Sequence, residues 1–191
     1  MLQAAGKRTG FVTTTRMSHA TPAALYAKTV HRLKAFFTTT TKVYSCILSM
    51  DPFICRFWEG DHDVNKSIAN GEVSQADIDP TITKDISRQL VESEAGKKLD
   101  IMLGGGRASF LPWSRKPEVV NKTEPSAPGF DYEDENDMWE NYRDDGRDLL
   151  NEWENNTDYQ GTRKYIDTRE QLLSNNLRDS DQVMGEHSLN F

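Results

Sequence analysis

Apolar and polar residues alternate along the chain in blocks that predict a few strands and helices. The first block, "GFVTTTR" (10–16), is short and β-branched, as expected of a buried strand. Thr21 followed by Pro22 then predicts a helix start, with the threonine as N-cap and the proline in the first turn. The helix formers of "AALYAKTVHR" would extend this helix to Arg32. A strand that runs into a helix is therefore expected over residues 10–32.

The middle and the end of the chain repeat this alternation. "KDISRQLVESEAG" (84–96) places Ile86, Leu90 and Val91 on one side of an amphipathic helix that Gly96 would close. "LDIMLGGGR" (99–107) is a compact apolar run ending in glycines, which predicts a strand and a tight turn. "TRKYIDTREQLLSNN" and "DSDQVMG" predict a short strand with a helix and the start of another strand. This order of elements is typical of an α/β layered architecture.

Two polar clusters come directly after predicted strands. His19 and Thr21 follow the first strand, and the segment from Gly104 to Arg107 ends the second. In open α/β sheets, ligands bind in the crevice outside the carboxyl ends of the strands. Both clusters are therefore expected at one functional edge of the sheet.

Composition and charge narrow the class of protein. The apolar fraction is 36% with tyrosine included, where about 45–50% is typical of globular chains, so we expect a thin core or a piece of a larger domain. The net charge of -7 would repel a phosphate backbone, which argues against nucleic acid as a partner. No apolar run reaches the roughly 20 residues that cross a bilayer. Cys46 and Cys55 lack neighbouring histidines and do not form a zinc ligand set.

The stretch His19-Ala20-Thr21-Pro22 has two interpretations. It is the capping turn of a helix, since threonine caps are common, or it is a ligand site. In the second case the threonine hydroxyl would coordinate a hard cation, while helix N–H groups and an arginine would hold an anion. An unbroken helix would place Thr21 and Arg32 roughly 16 Å apart. Either the helix ends early, or Arg32 serves elsewhere.

Several motifs of this chain occur in the same order in one enzyme family. "GFVTTTRMSHATPAALYAKTVHR" closely resembles the stretch of animal alkaline phosphatases in which TTTR precedes a short spacer, HA(S/T)PA and a Tyr-Ala pair. Further matches are "FWEGDHDV" (57–64), "KDISRQLV" (84–91), "LDIMLGGGR" (99–107), "RDDGRDLLNEW" (143–153) and "TREQLL" (168–173). The resemblance covers almost the whole chain apart from residues 33–56 and the last few.

This resemblance implies a metal-dependent phosphomonoesterase. Residues 1–191 would form part of one domain, a fragment of the three-layer α/β/α sandwich of the family. Members use a serine nucleophile, two zinc ions and one magnesium ion to hydrolyse phosphate monoesters through a phosphoserine intermediate. The resemblance also implies a homodimeric glycoprotein outside the cell or on its surface, held to the membrane by a lipid anchor.

At matching positions, the resemblance assigns roles to individual residues. Thr21 corresponds to the hydroxyl ligand of magnesium, and His19 to a histidine beside that metal and the substrate. Arg32 corresponds to the arginine that clamps the substrate phosphate, and Arg56 is the alternative because it precedes the tryptophan segment. Plainer interpretations stay open: a cap for Thr21, a buried imidazole with its hydrogen bonds satisfied for His19, a solvated charge for Arg32 and a plain turn for "GGGR".

The chain departs from the family pattern in two ways. Residues 33–56 interrupt the match, and their removal would join "TVHR" directly to "FWEGDHDV", which suggests a retained intron or a gene-model error. The family's nucleophile and most of its metal ligands correspond to sequence before "GKRTG" or after "QVMG". The chain alone is therefore expected to be inactive. The alternative function is that of a noncatalytic secreted binding protein that retains part of the fold.

Residues 118–142 are predicted to be a loop, and the acidic stretch 131–158 should be helical near its end. Relatives have an additional calcium site in this part of the fold, and Glu118 corresponds to one of its carboxylates. A carboxylate-rich stretch that is simply solvated is the alternative. Asn65, Asn121 and Asn155 each begin an N-x-S/T sequon, which is consistent with secretion.

Overall fold

A parallel sheet of four strands forms the centre of the computed structural model, which describes residues 3–27, 58–71, 74–77, 84–115, 142–174 and 177–186. Its strands are β1 (Gly10–Arg16), β2 (Ile101–Gly105), β3 (Arg163–Ile166) and β4 (Gln182–Glu186). They lie in the spatial order β1-β2-β4-β3. Each strand lies where the sequence predicts one, and the parallel pairing with crossover connections confirms the α/β class.

The helices between the strands are short. They are α1 (Ala20–Ala23), α2 (Asp61–Ala69), α3 (Ile86–Glu92), α4 (Glu94–Lys97), α5 (Leu149–Glu154) and α6 (Arg169–Leu173). Single 3₁₀ turns occupy Gln3–Ala5, Gln75–Asp77, Arg107–Phe110 and Trp113–Arg115. Among the described helices, none is long and apolar enough to span a bilayer.

The hydrophobic core lies against one face of the sheet. Phe11, Met102 and Met184 project from neighbouring strands into this core, where they join Leu90 of α3 and Trp153 of α5. The side chains that alternate with them point to the opposite face. On that face Val12 is 73% exposed and Ile101 is 46% exposed. The described part of the chain thus has one well-packed layer of helices.

Ser93 divides the amphipathic stretch 84–96, so the prediction of a single helix closed by Gly96 is wrong. Ser93 has an extended backbone, ends α3 and caps α4, where its hydroxyl accepts from Gly96 N at 3.0 Å. Gly96 is buried within α4. A Cβ atom there would overlap the backbone carbonyl of Leu90, so the close packing of α4 against the end of α3 requires glycine at this position. The predicted apolar side is confirmed, since Ile86, Leu90 and Val91 are all buried.

The helix predicted from Thr21 to Arg32 begins earlier and is shorter. α1 begins at Ala20, with His19 at the N-cap, and ends at Ala23 before a turn in which Ala27 N donates to Ala23 O at 2.7 Å. Thr21 therefore lies inside the first turn, and its prediction as N-cap is wrong. Pro22 is in the first turn as predicted, where its missing N–H breaks no intrahelical hydrogen bond. α1 ends at Ala23, so the separation of roughly 16 Å that an unbroken helix would impose on Thr21 and Arg32 does not apply.

Glu92 connects the polar side of α3 to the segment before α5. Its carboxylate accepts from Lys84 at 2.6 Å, from Arg88 at 3.3 Å and from Arg147 at 2.7 Å. Burial opposes the ionisation of Glu92, but these bonds lower its pKa from the ordinary 4.5 to about 2. Because the pKa is lower in the folded chain than in the unfolded one, the ionised form of Glu92 stabilises the fold.

Two predictions on segments lie outside the described residues. These are the insertion at 33–56 and the loop at 118–142, of which only Tyr142 is described. Both stay predictions. The helix expected near the end of the acidic stretch is confirmed as α5, whose N-cap Asp148 accepts from Asn151 N at 2.9 Å.

Candidate functional site

The two polar clusters lie at the carboxyl edge of the sheet, as the sequence predicts. β1 and β2 end side by side, with Arg16 in register with Gly105. Beyond the strand, Met17 N donates to Gly105 O at 2.8 Å. The loop that carries His19 and Thr21 therefore leaves the sheet beside the glycine run of β2. This is the edge at which α/β proteins bind ligands.

The turn after β2 joins the ends of three strands. Gly106 has a φ of 91°, and a Cβ atom there would lie 2.8 Å from the Cβ of Arg16, so both its backbone conformation and its neighbour require glycine. Arg107 N donates to Glu186 Oε1 at 2.7 Å at the end of β4. The Arg107 guanidinium lies 3.5 Å from Asp167, which follows β3. Of the "GGGR" segment, Gly104 and Gly105 end β2, Gly106 makes the turn, and Arg107 connects neighbouring strand ends.

A carboxylate from the "FWEGDHDV" segment binds the end of β1. Glu59 accepts from Nε and Nη2 of Arg16 at 2.7 Å each, and from Ser18 Oγ at 2.8 Å. The hydrogen bond to Glu59 raises the pKa of Arg16 above its ordinary value, although burial opposes this. Bidentate arginine–carboxylate pairs are directional as well as strong. Glu59 thereby fixes the chain at the point where it leaves β1.

Hydrogen bonds also fix the backbone on either side of Glu59. Ile86 N donates to Trp58 O at 2.9 Å, and Ser87 Oγ donates to Glu59 O at 2.6 Å. Asp63 accepts from Glu59 N at 2.8 Å, and burial raises the pKa of Asp63. Since Ile86 and Ser87 begin α3, the segment joins the end of β1 to the start of that helix. The loop after β1 consequently rests on two fixed elements.

His19 and Thr21 present polar atoms at this edge that the described residues do not use. Nδ1 of His19 is buried without a hydrogen-bond partner in the part of the chain that the structure describes. The described residues therefore do not supply all the hydrogen bonds that a satisfied, buried imidazole at His19 would have. Thr21 is exposed, and no hydrogen bond within the described ranges involves its hydroxyl. A buried polar atom without a partner is costly, so His19 fits a site that receives a water or a ligand.

The two residues do not complete a metal site by themselves. In the described ranges, with their gaps, no three His, Cys, Asp or Glu side chains lie together as a metal-binding group. A hydroxyl such as that of Thr21 suits magnesium, which prefers oxygen ligands and usually keeps several waters. The hydroxyl of Thr21 is thus of a type that fits magnesium, and the described residues hold no complete set of ligands beside it.

A buried arginine holds the acidic segment against α3. Arg143 is 1% exposed and donates to the two oxygens of Asp85 at 3.2 and 3.1 Å, and to Ser109 O at 3.2 Å. Asp145 accepts from the same guanidinium at 2.9 and 2.5 Å. Burial would lower the pKa of Arg143, but the bonds to Asp145 and Asp85 raise it. Since Asp85 is also the N-cap of α3, one guanidinium links the segment after Tyr142 to a helix start.

Other carboxylates of the acidic stretch also have partners within the protein. Asp144 accepts from Asn65 at 2.9 Å and from Trp113 Nε1 at 3.0 Å. Asp148 pairs with Arg115 at 2.9 Å, in addition to capping α5. The sequence pattern did not predict these internal contacts. Asp144 and Asp148 are therefore bound to other parts of the protein and are not simply solvated.

The structure places some of the predicted site residues and not others. His19 and Thr21 lie at the carboxyl edge, whereas Arg32, Arg56 and Glu118 lie outside the described residues. The roles of all five stay predictions. Sequence reasoning missed the Glu59 and Arg143 contacts. The signal for Glu59 is its position in the matched "FWEGDHDV" motif, and the signals for Arg143 are its position at the start of the matched "RDDGRDLLNEW" motif and the acidic pair after it.

The fold and its edge define the class of this protein: a parallel α/β protein with polar side chains at the carboxyl ends of its strands. A family model described as alkaline phosphatase matches residues 1–39 and 58–188. The chain belongs to the alkaline phosphatase family. Residues 40–57, between the matched ranges, overlap the insertion predicted at 33–56, whose bounds stay a prediction.

Curated relatives carry the same name. The chain is 28% identical to a membrane-bound alkaline phosphatase of Bombyx mori over 94% of its own length and 24% of the relative. It is 31% identical to an alkaline phosphatase of Gadus morhua, over 95% of this chain and 28% of the relative. Alkaline phosphatase 4 of Drosophila melanogaster is 30% identical over 96% of this chain and 23% of the relative. The chain thus spans about a quarter of the length of these relatives.

Proposed function

We propose that this protein hydrolyses phosphate monoesters through a phosphoserine intermediate when residues 1–191 are joined to the nucleophile and metal ligands that family members use. The observation that carries the proposal is the family match over most of the chain. The polypeptide of residues 1–191 alone is proposed to be inactive, because none of its matched motifs corresponds to that nucleophile.

The carboxyl edge supports a magnesium site to which this chain contributes. Thr21 would supply a hydroxyl oxygen to the ion, and Nδ1 of His19, which is buried without a partner in the described chain, would bond a water of its coordination shell. Bound magnesium would supply positive charge beside the substrate phosphate. The Glu59–Arg16 pair holds the loop that carries both donors, so their position is set before any ion binds. The two zinc ions would take their ligands from outside the described residues.

Arg32 is proposed as the clamp on the substrate phosphate, with Arg56 as the alternative. The early end of α1 at Ala23 supports this role, because the roughly 16 Å separation from Thr21 applies only to an unbroken helix. A planar guanidinium binds two phosphate oxygens at once, which a lysine ammonium does not do with the same geometry.

The remaining properties follow from the family and are proposed with it. They are a homodimer, a position outside the cell or on its surface with a lipid anchor, and the three-layer sandwich. The exposure of Val12 at 73% and of Ile101 at 46% supports the third layer, because parallel sheets are ordinarily covered on both faces. One relative is named as a membrane-bound alkaline phosphatase, which supports the surface location. A calcium ion at Glu118 belongs to the same set of proposals.

The first experiment is to sequence full-length transcripts across this locus. If residues 33–56 are absent from the message and flanking exons encode a serine nucleophile and metal ligands, the proposal is supported. A major message that encodes residues 1–191 alone, with the insertion, would contradict it and favour the noncatalytic binding protein.

The second experiment measures hydrolysis of a phosphate monoester by the product of the longest transcript and by residues 1–191 alone. We expect turnover by the longer product, abolished by a chelator and strongly reduced by Arg32→Ala. Thr21→Val should raise the magnesium concentration needed for half-maximal activity and weaken magnesium binding in calorimetry. Thr14→Val, at an exposed position of β1, is the matched control. Chelator-sensitive turnover by residues 1–191 alone would overturn the proposed inactivity of the fragment.

A further inference from the structure

Two of the three glycosylation sequons lie in the described residues, in different surroundings. Asn65-Lys66-Ser67 lies within α2, and Asn155-Asn156-Thr157 follows the end of α5. The third, which begins at Asn121, lies outside the described residues. The sequence pattern alone treats the three sites as equal. The structure distinguishes the first two by their contacts and by the edge of the sheet on which each lies.

Asn155 occupies an exposed turn at the end of a helix. It is the C-cap of α5. Among the described residues its Nδ2 bonds within that helix alone, donating to Asn151 O at 3.2 Å and to Asn151 Oδ1 at 2.7 Å. Thr157 is also exposed. After Asn156 the chain turns, with Tyr159 N donating to Asn156 O at 3.3 Å. A bulky group on Asn155 would extend into solvent without breaking a contact between separate elements.

The position of Asn155 follows from the topology. The chain leaves α5, passes through this turn and enters β3 at Arg163, so the turn lies at the amino-terminal edge of the sheet. All four strands are parallel, so His19, Arg107 and Glu186 lie at the opposite edge. A glycan on Asn155 would therefore be separated from the candidate site by the length of the strands.

Asn65 is in a different position. Its Nδ2 donates to Asp144 at 2.9 Å, which joins α2 to the segment after Tyr142. Ser67, the hydroxyl residue of its sequon, is buried and accepts from Trp58 Nε1 at 3.0 Å. α2 begins next to Glu59, at the carboxyl edge. A glycan here would crowd the contact between two elements on the same side of the molecule as the candidate site.

We propose that Asn155 carries an N-linked glycan at the edge of the sheet opposite the candidate site, and that Asn65 does not. In this modification Nδ2 of asparagine loses a proton and bonds to the anomeric carbon of an oligosaccharide. The bond from that carbon to its lipid-linked pyrophosphate breaks, and the pyrophosphate leaves with the electron pair. The modification rests on the proposed extracellular location, since the transfer takes place during secretion. Asn155 is an exposed acceptor at a helix end, as a surface glycan requires.

The test is site mapping on the chain secreted from insect cells behind a cleavable signal peptide. The secreted and the cell-associated pools are both digested, deglycosylated enzymatically in heavy-oxygen water and mapped by mass spectrometry, so that each occupied asparagine appears as labelled aspartate. We expect label at Asn155 and none at Asn65. Asn155→Gln and Thr157→Ala should each lower the mass by one glycan, whereas Asn65→Gln should leave it unchanged.

Every other outcome overturns the inference. Label at Asn121 with an unmodified Asn155 would show that the chain met the transferring enzyme and was not modified at this site. A chain without any label, or with label at Asn65, would contradict the proposal equally. The result does not depend on phosphatase activity. A glycosylated Asn155 on an inactive full-length product would refute the proposed function alone.

Discussion

Replacement of Arg143 by methionine tests how the described fold is held together. Methionine keeps an unbranched apolar chain in place of the arginine stem but removes the guanidinium that donates to both oxygens of Asp85 and to Asp145. Asp85 is 3% exposed. Its remaining bond would come from Arg88 N at 2.9 Å, the cap contact of α3. The variant therefore leaves a buried carboxylate without its counter-ion.

The magnitude follows from that uncompensated charge. Removal of one partner of a buried ion pair costs about 3–5 kcal/mol, a large fraction of the roughly 5–15 kcal/mol by which domains are stable. We expect Arg143→Met to lower the free energy of unfolding by about that amount. Asp85→Asn should cost less, because asparagine keeps the N-cap and Arg143 keeps Asp145. The double variant should lose less than the sum of the single losses, with a coupling of about 0.5–3 kcal/mol.

Urea unfolding followed by tryptophan fluorescence measures these losses, since Trp153 is fully buried in the core. If the slope of the free energy of unfolding against urea concentration is the same for each variant as for the wild type, the compactness of the unfolded state is unaffected. Arg115→Met is the matched control, because Arg115 is 58% exposed in its pair with Asp148. Exposed pairs contribute at most about 1 kcal/mol. A loss for Arg143→Met no larger than for Arg115→Met, or strictly additive losses in the double variant, would refute the reasoning.

Three further changes test other contacts of the structure. Glu92→Gln should flatten the loss of stability as the pH falls from about 4.5 to about 2, since the folded pKa of Glu92 is lowered to about 2 and its stabilisation is complete only above the unfolded value. Glu94→Gln is the matched control: the pKa of Glu94 is also lowered, by Lys98, but the pair is exposed, so the difference between the unfolding free energies in urea at pH 7 and pH 3 should change less than for Glu92→Gln. Equal changes for the two variants would contradict this. Gly96→Ala should cost about 1–3 kcal/mol in thermal unfolding, because a Cβ atom there meets a backbone carbonyl that cannot move aside, and a stabilised variant would refute the close approach. Glu59→Gln should cost about 1–2 kcal/mol through the weakened bidentate bond to Arg16, and urea unfolding indistinguishable from that of Glu94→Gln would show that the pair contributes nothing measurable.

Local patterns were sufficient for much of the fold. The β-branched run 10–16, the apolar run before the glycines and the stretch "QVMG" are all strands at the predicted places. Strand formation here depends on burial and side-chain shape within a few residues, which a sequence displays directly. Parallel pairing then placed the ends of the strands at one edge, so the proximity of the His19 loop to the glycine turn could be inferred as well. Motifs in family order added the family.

Contacts between distant segments decided the rest. Whether the stretch 84–96 is one helix or two depends on Gly96 packing against the carbonyl of Leu90, and helical periodicity is the same in both cases. Arg143 lies 58 residues from Asp85, and Glu59 lies 43 residues from Arg16. A charged residue has the same letter whether it is solvated or buried beside a partner, and only the folded chain sets its distance to that partner and its exposure to water. The sequence by itself therefore determined the strands, their order along the chain and the family. The tertiary structure alone decided which charges are buried together and which polar atom at the carboxyl edge, Nδ1 of His19, has no partner among the described residues.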